Sequence, residues 1–99
     1  MAKLTSDQIN ERLAGLAEWK LSDAVITRTY RFKDFLAAMK FVNQVAEIAE
    51  QANHHPDIDI RWNKVTLALT THSEGVLTEK DFAVAQRCDG LARREPLPV

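Results

Sequence analysis

Five side chains of types that move protons, Glu50, His54, His55, His72 and Asp81, fall in one short part of the chain. An imidazole titrates near neutrality and can give or take a proton, and a carboxylate can orient it or stabilise its charged form. All three histidines of the sequence are in this set. His54 and His55 are adjacent, and Pro56 fixes the chain direction after them, so two rings can be held with little loss of entropy. Each residue also has a plainer reading. The histidines suit solvated loop or strand-end positions, and His54 suits a cation near a helix C-terminus. Asp81 suits the N3 position of a capping box begun by Thr78. It precedes Val84, Ala85 and Cys88 by three, four and seven positions, which places it on a buried helical stripe facing the sheet and towards His72. Glu50 is a helix-shoulder carboxylate four positions before His54, within reach to orient that ring.

His54, His55, His72 and Asp81 are also metal-ligand types. Adjacent histidines rarely both reach one ion, however, and no His-Glu-x-x-His spacing is present. The expectation is therefore a site without metal or cofactor. Cys88 lies on an apolar stripe and reads as packing. By residue type, Trp19 and Trp62 are core residues before they are ligand platforms.

The elements that must position these residues follow from hydrophobic periodicity. Thr5 with Gln8 is a capping box, Leu4 with Ile9 its hydrophobic staple, and Ile9, Leu13 and Leu16 recur at helical spacing. Trp19 to Leu21 and Ala24 to Phe32 predict a hairpin turned at Ser22-Asp23, with Ile26, Tyr30 and Phe32 on one face and Arg28 as that face's one charge. Asp34 is a candidate N-cap for a second helix carrying Phe35, Ala38, Met39, Val42, Val45, Ala46 and Ala49. Phe41, Ile48 and Ala52 widen this stripe beyond what a small sheet requires, and the excess is expected to contact another subunit or the first helix. Asp57 to Trp62 alternates, with Ile58, Ile60 and Trp62 on one face, and Asn63-Lys64 is the expected turn into a strand of Val65, Leu67 and Leu69. In that strand Thr66, Ala68, Thr70 and His72 take the opposite face. The hairpin returns the chain towards its origin, so His72 can end near His54 and His55. The last helix begins at Thr78, with Leu77 and Phe82 as a staple, and an irregular tail starts near Arg93. The expected fold is α+β: one domain over 1–99, of order α-β-β-α-β-β-α, with a four-stranded antiparallel sheet and three helices packed on one face.

Composition narrows the partners. The net charge is −1 with mixed signs, which leaves no footprint for nucleic acid or an anionic membrane. No apolar run reaches membrane-spanning length, and the first residues lack the apolar core of a signal peptide. A single cysteine cannot form an intrachain disulfide, and a cytoplasmic setting is expected.

The ordered set Glu50, three residues, His54-His55-Pro56, five residues, Trp62, nine residues, His72, eight residues, Asp81 resembles the pterin-4a-carbinolamine dehydratases. Phe32-Lys33-Asp34-Phe35, Asn63-Lys64-Val65, Thr71-His72 and Leu77-Thr78-Glu79-Lys80-Asp81 are similar too, so the likeness runs from about Leu4 to about Leu91. The resemblance implies dehydration of 4a-hydroxytetrahydrobiopterin to quinonoid dihydropterin, the recycling step after an aromatic amino-acid hydroxylase. It implies that His54, His55 and His72 line the pterin pocket, with His55 or His72 as acid at the hydroxyl and His54 as base or shuttle. It makes Asp81 and Glu50 imidazole-orienting groups. Glu50, Trp19 and Trp62 become the substrate-binding candidates, with the Trp19 ring able to stack on the pterin. It also implies a homodimer or homotetramer. Animal relatives double as a dimerisation cofactor for a homeodomain transcription factor, and other members are linked to molybdopterin metabolism. The competing readings are a non-catalytic interaction module using the broad face of the second helix, and a metal-dependent hydrolase.

Overall fold

Residues 3–94 are described in a computed structural model. The elements are α1 (Ser6–Ala14), β1 (Lys20–Ser22), β2 (Val25–Arg31), α2 (Phe35–Ala52), β3 (Asp57–Arg61), β4 (Lys64–Leu69) and α3 (Glu79–Arg94), which is the expected α-β-β-α-β-β-α order. The strands form one antiparallel sheet in the order β1-β2-β4-β3. The chain leaves β2 through α2, enters the sheet at its edge as β3, and turns inward so that β4 lies beside β2.

Alternation decides which face is covered. Ile26, Tyr30 and Phe32 from the second strand segment and Val65, Leu67 and Leu69 from β4 are all buried. They pack against Ala38, Phe41, Val45, Ile48 and Ala49 of α2 and Phe82, Val84, Ala85, Cys88 and Ala92 of α3. Phe41 sits between two rings, with centroids 4.6 Å from Tyr30 and 5.0 Å from Phe32. Burial pushes the Cys88 thiol up to about 12, consistent with an inert packing role. The other sheet face carries Thr29 and Thr66, whose hydroxyls meet at 2.8 Å.

Some boundaries differ from expectation, each for an identifiable reason. The first hairpin turns at Asp23-Ala24, because Asp23 takes the left-handed conformation at φ 53 and Ser22 pairs with Val25. The second turns at Trp62-Asn63, one residue early. Asn63 is held at the second turn position by Phe32: its side-chain amide donates to the Phe32 carbonyl at 2.9 Å, and Phe32 N–H donates to the Asn63 carbonyl at 2.8 Å. Trp62 is left with φ 52 and 69% exposed. Ile58 and Ile60 do face the helix side, paired with Leu67 and Val65, but β3 lies at the sheet edge and they stay over one-third exposed. In α2 the buried stripe is narrower than expected: Phe35 is 47% exposed, because it begins the helix, and Ala46 is exposed. The expected tail at Arg93 is still helical through Arg94, and the rest of it lies outside the described residues.

Two of the polar ties that fasten α3 to the rest lie away from the histidines. Arg12 grips Glu79 through two parallel bonds of 2.5 and 2.7 Å, joining the last turn of α1 to the first of α3. The hydrogen bond from Arg12 lowers the Glu79 carboxyl from its usual range. The stabilisation is therefore present above the ordinary glutamate range and fades as pH falls through the lowered value. Deeper in, Trp19 Nε1, Arg28 and the Tyr30 hydroxyl all donate to Asp89 Oδ1, at 3.0, 2.8 and 2.5 Å. The one charge predicted for the apolar face of β2 is thus neutralised, and the Arg28 guanidinium also lies 4.2 Å from the Tyr30 ring centroid. Burial first, and the Asp89 carboxylate next, push the Tyr30 hydroxyl far above its ordinary range, so it remains a donor.

Helix α2 stops at Asn53, which adopts the left-handed conformation at φ 49 and returns its N–H to the Ala49 and Glu50 carbonyls. Asparagine tolerates this conformation and alanine does not. Thermal denaturation should show Asn53→Ala destabilised by about 1 kcal/mol and Asn53→Gly unchanged or better. Equal losses in both variants would mean that the side chain, not the backbone geometry, ends the helix.

Candidate active site

The end of α2 throws His54 under the start of α3. His54 N–H bonds back to the Ala49 carbonyl at 3.1 Å, and the imidazole Nε2 lies 2.5 Å from Asp81 Oδ1. Asp81 is fully buried and the His54 side chain is 10% exposed. Asp81 holds the N3 position of α3, and its Oδ2 accepts the Thr78 N–H at 2.9 Å, which is half of the expected capping box. The other half is diverted: the Thr78 hydroxyl sits 2.8 Å from that of Thr71, and Thr71 Oγ1 lies 2.9 Å from Asp81 Oδ2. One carboxylate therefore caps a helix and holds an imidazole at once.

A second pair sits outside the first. His55 Nε2 lies 2.5 Å from Glu50 Oε2, with both side chains more than half exposed. A carboxylate only accepts, so in each pair Nε2 carries the hydrogen and donates. The nitrogen left for chemistry is Nδ1 in both rings, a base when the ring is neutral and an acid when it is charged.

His72 follows Thr71 in a turn closed by the Thr71↔Val76 bridge and by Gly75 at φ +64. Its imidazole is exposed and makes no hydrogen bond among the described residues. The hairpin does bring this turn back to the α2 terminus, since Thr71 touches the same Asp81 that holds His54.

Three expectations change. Glu50 pairs with His55, five positions on, rather than His54, because the left-handed Asn53 turns His54 inward to α3. Trp19 is 4% exposed and engaged with Asp89, eight helical positions from Asp81, or about 12 Å along α3. Trp62 is at the far end of β3 from His55, about 16 Å of strand away. Neither tryptophan joins the histidines within the chain. Thr71 and Thr78 are site residues to which the sequence assigned no part in the site itself: Thr71 entered only through the resemblance, and Thr78 as a helix cap. The signal for Thr71 was present: strand alternation puts it on the inward face with Leu67 and Leu69, and a hydroxyl buried there needs a partner.

No group of three or more His, Cys, Asp or Glu side chains among the described residues is arranged to hold a metal ion. A groove of about 410 Å³ between α2 and α3, whose lining includes Gln44, Glu47, Gln51 and Arg87, does not include the histidines. No helix among the described residues is long and apolar enough to cross a membrane.

Residues 2–91 match the family model described as pterin 4 alpha carbinolamine dehydratase. The chain belongs to that family. A relative from Acidobacterium capsulatum, provisionally named a pterin-4-alpha-carbinolamine dehydratase, is 57% identical over 92% of this chain and 99% of its own length. A Chloroflexus aurantiacus relative with the same provisional name is 54% identical over 92% and 98%. Among solved structures, a Brucella melitensis protein described as a transcriptional coactivator/pterin dehydratase superposes with a TM-score of 0.88 at 39% identity, over 92% of this chain and 99% of that one. A pterin dehydratase-like protein identified as a RuBisCO assembly factor in the alpha-carboxysome shares the fold, with a TM-score of 0.63 at 21% identity over 75% and 86%.

Proposed function

We propose that this chain dehydrates pterin-4a-carbinolamine to quinonoid dihydropterin by histidine general acid–base catalysis. In that reaction a proton is added to the 4a-hydroxyl, the C4a–O bond breaks and water leaves. The neighbouring ring N–H loses its proton, and its electron pair closes the C=N bond. The reaction needs one acid and one base a few ångströms apart, and no redox partner.

The observation that supports this reading best is the pair of adjacent imidazoles, each anchored through Nε2 on its own carboxylate. The anchoring differs in exposure, and that separates the roles. His54, buried on Asp81, suits the base or shuttle, because the adjacent carboxylate stabilises the imidazolium formed on taking a proton. His55 on Glu50, or His72 in its turn, suits the acid at the departing hydroxyl. Glu50 is also the substrate-facing carboxylate of the proposal. Tetrahydrobiopterin recycling after an aromatic amino-acid hydroxylase, in a cytoplasmic homodimer or homotetramer, is the setting we propose.

Stopped-flow decay of 4a-carbinolamine, with and without the protein, tests the reading. Acceleration that grows with protein concentration is the expected outcome. An unchanged decay rate would reject the enzyme reading.

A further inference from the structure

The hydrogen bonds around Asp81 can be assigned a direction by counting protons. A carboxylate has none to give, so the Thr71 hydroxyl must donate to Oδ2 across its 2.9 Å contact. That uses the only hydroxyl hydrogen of Thr71. The 2.8 Å contact between Thr71 and Thr78 must then run the other way, with Thr78 donating. Oδ2 also receives the Thr78 N–H at 2.9 Å. Two donors fix Oδ2, and Oδ1 is left to His54 alone. The carboxylate cannot rotate about its Cβ–Cγ bond without losing both.

The main chain of Thr71 performs a separate task. Its N–H donates to the Val76 carbonyl at 3.1 Å, and its carbonyl accepts from Glu74 and Gly75 N–H at 3.0 and 2.9 Å. These bonds close the turn that contains His72. Thr71 is 6% exposed, so water does not substitute for its partners cheaply.

We propose that Thr71 is a positioning residue for both halves of the site: its hydroxyl fixes the Asp81 carboxylate on His54, and its backbone fixes the turn presenting His72. The inference rests on the acid–base reading above for its catalytic meaning, but the Thr71–Asp81–His54 coupling itself stands on the geometry. A valine at this position keeps the shape and loses the hydroxyl. A serine keeps the hydroxyl and loses a methyl group.

The test compares Thr71→Val, Thr71→Ser and wild type in two measurements. In the carbinolamine assay, Thr71→Val should lower kcat about tenfold or more with KM little changed, because a misplaced proton-transfer group costs rate and not ground-state binding. Thr71→Ser should recover most of that loss. In NMR spectra of the free protein, the His54 Nε2–H signal should persist in wild type and Thr71→Ser and be lost to solvent exchange in Thr71→Val. If the valine variant does not fold, Thr71→Ala against Thr71→Ser makes the same comparison, one oxygen apart. A valine or alanine variant that retains the imidazole signal overturns the proposal, as do serine and valine variants equally impaired, since packing alone would then explain the loss. Should wild type prove inactive on the pterin, the proposed reaction fails while the NMR arm still decides whether Thr71 holds the pair.

Discussion

His54→Ala is expected to lower kcat by about 10²–10⁴-fold, the range typical for loss of a general acid–base group. Alanine also leaves Asp81 Oδ1 facing an empty space in a fully buried setting, so stability should fall by about 1–3 kcal/mol. The two effects separate in His54→Gln. A glutamine amide can donate to Asp81 yet cannot titrate, so this variant should keep most of the stability and lose the activity. His55→Ala and His72→Ala should each lose at least about tenfold while folding normally, because both residues are exposed. Single-turnover kinetics with a melting curve on the same samples checks the series. Wild-type rates in both His55→Ala and His72→Ala would remove the proposed acid.

Asp89→Ala should be the most destabilising of the single substitutions considered. It strands three donors around one oxygen, and one of them is a guanidinium only 15% exposed. Breaking a buried ion pair by removing one partner costs about 3–5 kcal/mol. A domain of this size has about 5–15 kcal/mol in total, and each kcal/mol moves Tm by about 4–8 °C. A drop of about 12 °C or more in a calorimetric scan is therefore expected. Asp89→Asn, whose amide oxygen still accepts, should lose distinctly less. A melting point in Asp89→Ala within a degree or two of wild type would mean that water or other groups satisfy the three donors once the carboxylate is gone, and that the cluster does not hold α3 in place.

Much of this fold is legible in the sequence because its signals are local. The Thr5 and Asp34 caps, the period-two run of Val65, Leu67 and Leu69, and the stop before Pro56 each depend on neighbours a few residues away. The second hairpin turns one residue before its expected place because a distant group decides it: Phe32 captures Asn63 across 31 positions, and no nearby pattern encodes that bond. The candidate site divides along the same line. His54, His55, Glu50 and Asp81 stand out by type and spacing. Which carboxylate serves which ring is not visible, because the left-handed turn at Asn53 swings successive residues to opposite sides. The Asp89 cluster escaped entirely, since its four members come from β1's approach, β2 and α3 and meet only in the folded chain.

The edge position of β3 bears on how the site moves. Its five residues are exposed, and its strand pairing is with β4 alone. An element with few buried contacts opens more often than the core around it. Pro56 joins this strand to the two imidazoles, whereas Asp81 sits in the buried wall of α3 and Glu50 in the body of α2. The two imidazoles therefore lie between the end of α2 and an exposed edge strand, with His54 on a buried carboxylate and His55 on an exposed one. Local opening at this edge is expected to loosen the exposed His55–Glu50 contact before the buried His54–Asp81 contact.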